Sequence, residues 1–552
     1  MLRPMFRKTA ALLLSACAMP ALAQTSTPAS TPPKLIVAIA VDQFSADLFA
    51  EYRPYYSGGL KRLAQEGAVF PKGFQSHAAT ETCPGHSTIL TGGRPSRTGI
   101  IANTWFDLKT GREDKAVYCA EDESQPGSNS GDYVASPVHL KIPTLGGRMK
   151  AVNPAARVVS VAGKDRAAIM MGGPTADQVW WIGGPQGFVS YKGVAIPPLV
   201  ARINDAFAQR LATANGGFEL PPQCAAKDFA VNIGGGKTVG TGRFARAAGD
   251  FKAFRASPEQ DAMTLVLAAA AIESMELGKQ AQTDIISIGL SATDHIGHTY
   301  GTEGTESCIQ VDRLDRELGA FFDRLDADGI DYAVVLTADH GGHDLPERHQ
   351  ENAMPMASRV DEALTPKALS AAVGARTGLA GRKLIWGDGP AGDLYIDIGL
   401  TAPQRAAVEA ETLKILRAHP QVQAAFTKAE IAATPAPSGA PESWSLLQEA
   451  RASFDPQRSG DILLLLKPRI TPIVDPTKGY VATHGSPWDY DRRVPILFWR
   501  KGMRHFEQPL GVETVHIMPT LAALIHLPVP AGEIDGRCLD IIAGEGDSCA
   551  KK

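Results

Sequence analysis

The sequence predicts an α/β fold: a mostly parallel sheet sandwiched by helices, with inserted segments forming a roof. Three features predict it. Short apolar runs bounded by turn residues have the length of fully buried strands. A long amphipathic helical pattern joins two of them. Polar, chemistry-bearing residues come directly after several runs at once, as at the crevice of an open α/β sheet.

The runs are Leu35–Val41 (LIVAIAV), Val158–Ala162 (VVSVA), Asp284–Leu290 (DIISIGL), Tyr332–Thr337 (YAVVLT), Ile462–Leu466 (ILLLL) and 495–499 (PILFW). All are read as strands of the kind found inside parallel sheets. Between the third and fourth, residues 306–325 place Val311, Leu314, Leu318, Phe321, Phe322 and Leu325 on one helical face. Strand, helix and strand make a βαβ unit. Segments of about 167–260 and 355–460 are rich in Gly, Ala and Pro, fit the strand pattern poorly, and are expected to be the roofing insertions of a single domain spanning 34–552.

The N-terminus reads as an export signal. Arg3, Arg7 and Lys8 precede an apolar stretch over 9–19, and Ala21-Leu22-Ala23 suits cleavage before Gln24. The stretch is too short to span a bilayer. Residues 1–23 are thus an expected signal peptide and 24–33 a Ser/Thr/Pro linker. A competing reading takes Leu14-Ser15-Ala16-Cys17 as a lipoprotein signal, with a lipid anchor on Cys17. The expected location is periplasmic or secreted. Seven cysteines are encoded, and losing Cys17 leaves an even set, which an oxidising compartment permits to pair. Cys538 and Cys549 are the expected pair.

Composition narrows the function. A 44% hydrophobic content supports a large core, and a net charge of −4 with no basic stripe argues against a nucleic-acid-binding role. The mature chain shows no transmembrane segment.

The strand ends carry the chemistry. Asp42 follows the first run, Lys164 the second, Asp294 the third, and Asp339-His340 the fourth. One such Asp alone would be a turn or cap residue. Together they place carboxylates and imidazoles at one sheet edge. Asp294 and His298, four apart, share a face on a helical turn. Oxygen and nitrogen ligands without thiolates suit catalytic zinc, ahead of manganese or iron. The segment 80–88 (TETCPGHST) precedes a helix-like stretch in which Pro84 suits the first helical position. Thr82 then lies just before a helix N-terminus, where free N–H groups favour an anion. Alone it would be an N-cap.

Taken in order, Asp42, Thr82-Cys83-Pro84-Gly85-His86, Gly163-Lys164-Asp165-Arg166, Asp294 with His298, Asp339-His340-Gly341 and Thr483-His484-Gly485 resemble the alkaline phosphatase superfamily. More closely, the set is similar to bacterial alkaline phosphatases with a threonine nucleophile. The resemblance covers the chain from about residue 34 to the C-terminus. It implies an alkaline-phosphatase-like fold, two Zn2+ ions per chain and a monomer. One zinc would be held by Asp294, His298 and His484. The other would be held by Asp42, Asp339 and His340, with Thr82 completing it as nucleophile. Asn103, Lys164 and Arg166 would grip the phosphoryl group, and the lysine makes a third metal unnecessary. The implied activity is hydrolysis of phosphate monoesters through a phosphothreonine at Thr82, with some phosphodiesterase activity. A nucleotide pyrophosphatase/phosphodiesterase is the first alternative, and a non-catalytic phosphate- or metal-binding protein the second. A sulfatase is disfavoured, because Cys83-Pro84-Gly85-His86 departs from the Cys/Ser-x-Pro-x-Arg pattern.

Overall fold

The computed structural model describes residues 31–549 except 352, 353, 531 and 545. The expected signal peptide, the Cys17 alternative and most of the linker lie outside the described residues. From Pro32 onward the chain forms one compact unit.

Leu35–Val41 runs through the middle of a 10-stranded sheet. Its flanks are Asp284–Leu290 and Tyr332–Thr337, both parallel to it and nearly level: Val41 stands opposite Leu290, and Ala40 opposite Thr337. Val158–Ala162 pairs parallel beyond Asp284–Leu290, with Ala162 opposite Gly289. Four strands therefore end at one level, which brings the residues after them to a single crevice. The central strand is buried throughout because both faces are covered. Leu35, Val37, Ile39 and Val41 enter one core cluster, while Ile36, Ala38 and Ala40 enter another. The helix Thr305–Ala327 packs Val311, Leu314, Leu318, Phe321, Phe322 and Leu325 into the first of these. It returns the chain from Asp284–Leu290 to Tyr332–Thr337 across the intervening Leu35–Val41 strand.

Two strands differ from expectation. The run at 495–499 belongs to Arg493–Arg500, which lies antiparallel to Tyr332–Thr337 and to Ala68–Phe74. Ile462–Leu466 is not in the main sheet; it pairs antiparallel with Gly392–Ile396 and Val422–Thr427 in a separate 4-stranded sheet. Its continuous apolar sequence reflects two covered faces, not parallel pairing. Ile462, Leu464 and Leu466 face one cluster, and Leu463 and Leu465 face another.

Within 167–260, Gln178–Gly184 and Gly187–Val189 extend the main sheet beyond Val158–Ala162. Three disulfides join Cys83 to Cys119, Cys224 to Cys308, and Cys538 to Cys549. The last is the pair the sequence suggested. Among the described residues no helix is long and apolar enough to cross a membrane, and the disulfides fit an oxidising, extracytoplasmic compartment.

Candidate active site

Two side-chain groups face each other at the level strand ends. Asp42, Asp339 and His340 form one; Asp294, His298 and His484 form the other. Within each, one ligand atom per residue lies within 4.8 Å of the others. The His340 and His484 rings, one from each group, stack with centroids 3.6 Å apart. Asp294 and His298 sit on the helix Ala292–Tyr300, one turn apart, so both point the same way.

The chemistry of both groups fits a metal. The Asp42, Asp339 and Asp294 carboxylates are almost wholly buried. Asp42 Oδ1 accepts no hydrogen bond, and Asp42 Oδ2, Asp294 Oδ1 and Asp339 Oδ2 meet only the cationic or imidazole nitrogens of the site itself. Three buried carboxylates with unfilled lone pairs require positive charge nearby. The imidazoles are oriented to supply neutral donors. Nδ1 of His298 lies 2.9 Å from the Ala482 carbonyl, Nδ1 of His484 2.7 Å from that of Thr80, and Nδ1 of His340 2.8 Å from that of Gly341. A carbonyl at Nδ1 places the proton there and leaves the Nε2 lone pair for a metal.

Electrostatics differ among the ligands: burial lowers the His484 imidazole, but Asp294 outweighs it and raises that group from its ordinary value. Burial, then the neighbouring Asp339, pushes the Asp42 carboxyl well above its usual range. Burial also opposes ionisation of Asp294, but His298 and Lys164 outweigh it and hold that group well below its usual range. Burial lowers His340 to about 3, so its ring is neutral.

Lys164 stands between the groups. Its Nζ forms an ion pair with Asp42 Oδ2 at 2.6 Å and is also hydrogen-bonded to Asp294 Oδ2. It caps the helix Asp165–Gly172, whose second residue is Arg166. Arg166 Nη2 reaches to 3.5 Å from Thr82 Oγ1, and Nη1 to 3.4 Å from the Tyr118 hydroxyl.

Thr82 opens the helix Thr82–Thr91 as its first residue, with Glu81 as N-cap. This corrects the expectation that Thr82 precedes the helix and that Pro84 begins it. The Glu81 carboxylate is occupied elsewhere, accepting the Asn103 N–H at 2.6 Å. Gly85 lets this helix press against the Asp339 strand end, since a side chain there would collide with the Asp339 carbonyl. Asn103 Oδ1 accepts the Cys83 N–H at 2.8 Å, which leaves its side-chain N–H groups as donors on the cleft wall.

The structure thus gathers Asp42, Thr82, Asn103, Lys164, Arg166, Asp294, His298, Asp339, His340 and His484 in one region. A cleft of about 730 Å³ is lined by Asn103, Lys164, Arg166, Asp294, His298 and His484 and, on the roof side, by Asp388, Asp393, Tyr395 and Leu463. Sequence reasoning missed the support of Arg166. Tyr118 and Tyr133 donate to Asp165 at 2.9 and 2.5 Å, and Tyr118 also meets Arg166. Tyr118 closes a small hairpin of Thr104–Phe106 with Ala116–Tyr118. The adjoining disulfide joins Cys119, next to Tyr118, to Cys83, next to Thr82. Only Asp165, inside the Gly163–Arg166 motif, gave a sequence signal. His86, inside the Thr82–His86 motif, places Nδ1 3.1 Å from Asp339 Oδ2.

Level parallel strands, two facing groups of carboxylate and imidazole, and a hydroxyl at a helix start put this chain in the alkaline phosphatase superfamily. Within it, the chain belongs to the type I phosphodiesterase / nucleotide pyrophosphatase family, which matches residues 36–487. It is 75% identical to alkaline phosphatase PhoK of a Sphingomonas species, across 99% of this chain and 100% of that protein. It is 48% identical to alkaline phosphatase PhoD of Zymomonas mobilis, across 94% and 90%. The crystal structure of wild-type alkaline phosphatase PafA superposes with a TM-score of 0.80 at 27% identity, covering 93% of this chain and 100% of that one.

Proposed function

We propose that this protein is an alkaline phosphatase that hydrolyses phosphate monoesters through a phosphothreonine at Thr82, using two zinc ions. Two of its relatives named as alkaline phosphatases, PhoK and PhoD, align over nearly their whole lengths. The observation that carries the reading is the meeting of Thr82 Oγ1 and the Arg166 guanidinium beside two metal-ligand groups. Asp42, Asp339, His340 and Thr82 would hold one ion, and Asp294, His298 and His484 the other. Bound zinc would supply Lewis acidity, favouring ionisation of a hydroxyl and the departure of an alkoxide.

The chain's own groups do the rest. Arg166 meets two phosphoryl oxygens with its planar fork, and Asn103 donates to the third. Lys164 adds positive charge where the transferring oxygens gather charge in the transition state. Thr82 Oγ1 gives up its proton to solvent water and attacks phosphorus in line; the Oγ1–P bond forms as the P–O bond to the alcohol breaks, and the alcohol oxygen takes a proton back from water. A water then attacks phosphorus, the Oγ1–P bond breaks, inorganic phosphate leaves, and Thr82 regains its proton. Buried Lys164 and half-buried Arg166 place two cations at the site, a match for a monoester dianion over a diester monoanion. That pair favours the phosphatase reading over the phosphodiesterase activity in the family's name, and leaves room for weaker diester turnover. The three disulfides support a periplasmic or secreted location.

The test compares an aryl phosphate monoester with its matched diester on chelated protein, before and after zinc is restored. Zinc-dependent turnover favouring the monoester is expected. Preference for the diester would replace this reading with the phosphodiesterase one.

A further inference from the structure

Arg255 ends the short helix Phe251–Arg255, and its side chain lines the cleft with Gly163, Lys164, Trp181, His295 and His298. It is half-buried. Most arginines of the protein are committed to carboxylates or carbonyls: Arg246 to Glu259, Arg348 to Asp344, Arg492 to Glu449. Among the described residues Arg255 has no ion-pair or hydrogen-bond partner. A few residues on, the Gln260 side chain meets His295 Nδ1 at 2.8 Å. A half-buried guanidinium carries five donors and rarely goes unmatched without a ligand to meet it.

Its place in the cleft says which part of a substrate it meets. The phosphoryl group is taken by Arg166, Lys164 and Asn103. Arg255 lines the same cleft as His295 and His298, which sit on the helix that carries Asp294. That group faces the one beside Thr82, so in-line attack from Thr82 sends the leaving oxygen towards Asp294, His298 and His484. We propose that Arg255 forms an anion subsite for the leaving group, selecting monoesters whose alcohol carries a second negative group such as another phosphate. A planar fork suits a phosphate or carboxylate oxygen pair. Selection arises because the contact is added only for substrates that bear this group.

This inference rests on the phosphatase reading, and the test separates the two. The probes are propyl phosphate and propane-1,3-diol bisphosphate, which share the same kind of leaving oxygen and differ by one anionic group. The ratio of kcat/KM values for the two is measured in the zinc-loaded wild type, in Arg255→Ala and in Arg255→Lys. Arg255→Ala is expected to lower kcat/KM for the bisphosphate about 10- to 100-fold, the size of one charge-assisted hydrogen bond, while propyl phosphate changes less than about 2-fold. Arg255→Lys is expected to retain part of the preference, which also shows that the site tolerates substitution. Equal losses on both probes, or none on either, would overturn the subsite while leaving the phosphatase intact. Failure of the wild type to hydrolyse either probe would overturn the phosphatase reading and this inference with it.

Discussion

Leu35–Val41 and Ile462–Leu466 look alike as sequence, each an unbroken apolar run. One lies at the centre of the main sheet between parallel neighbours; the other lies in the roof between antiparallel ones. Both are apolar throughout because both faces of each are covered. The two runs differ in the residues at their C-terminal ends. Val41 leads directly into Asp42, level with the ends of three other strands, whereas Leu466 leads into the turn Lys467-Pro468-Arg469. Apolar runs thus report burial, and chemistry is found where several strands end together. On the proposed function, the residues at the level strand ends would hold the reacting groups, and the roof would shape what enters.

Three substitutions probe that division, the first two on the floor. Thr82→Ala is expected to fold and to lose turnover by about 10⁴-fold or more while still binding inorganic phosphate. Near-normal turnover in that variant would break the account of the floor. Arg166→Ala is expected to cost monoester turnover about 10²- to 10³-fold and diester turnover far less, read as paired kcat/KM values. Equal losses would make the guanidinium a general scaffold for Thr82.

The roof gives the smallest effect. Asp393 lines the cleft, accepts the Gly460 N–H at 2.8 Å, and is raised by burial to about 6. Above that pH it carries a negative charge facing an anionic substrate; below it the carboxyl is neutral. Asp393→Asn is expected to raise monoester kcat/KM about 2-fold above pH 6 and to leave it unchanged below. The raised value also fixes a sign for stability. The folded state binds the proton more tightly than the unfolded chain, so this group's contribution is full below the unfolded carboxyl value and is lost as pH rises through about 6. The Asn variant is expected to lack that decline in a pH series of thermal melts. A larger effect than that of Arg166→Ala would reverse the division of labour.

The sequence was most legible where physics is local. The bounds of Leu35–Val41, Val158–Ala162, Asp284–Leu290 and Tyr332–Thr337 match the apolar runs of the sequence. The residues after those strands, with Thr82 and His484, are the ones the fold gathers. Strand direction was not legible, so Arg493–Arg500 and Ile462–Leu466 were misread, because an apolar run carries no mark of its neighbour's polarity. Tyr118 and Tyr133 were invisible for a related reason. They come from a hairpin and loop with no period, and only the tertiary fold brings them to Asp165. Arg255 was hidden too, since an arginine without a carboxylate can be recognised only once its surroundings are known.

The most direct test of the central claim is to mix the zinc-loaded protein with a phosphate monoester, quench it in acid within one turnover, and map phosphate on the peptides by mass. The account predicts phosphate on Thr82, absent from the chelated protein and from Thr82→Ala. Rapid turnover with no phosphorylated residue, or with phosphate on another side chain, would contradict it.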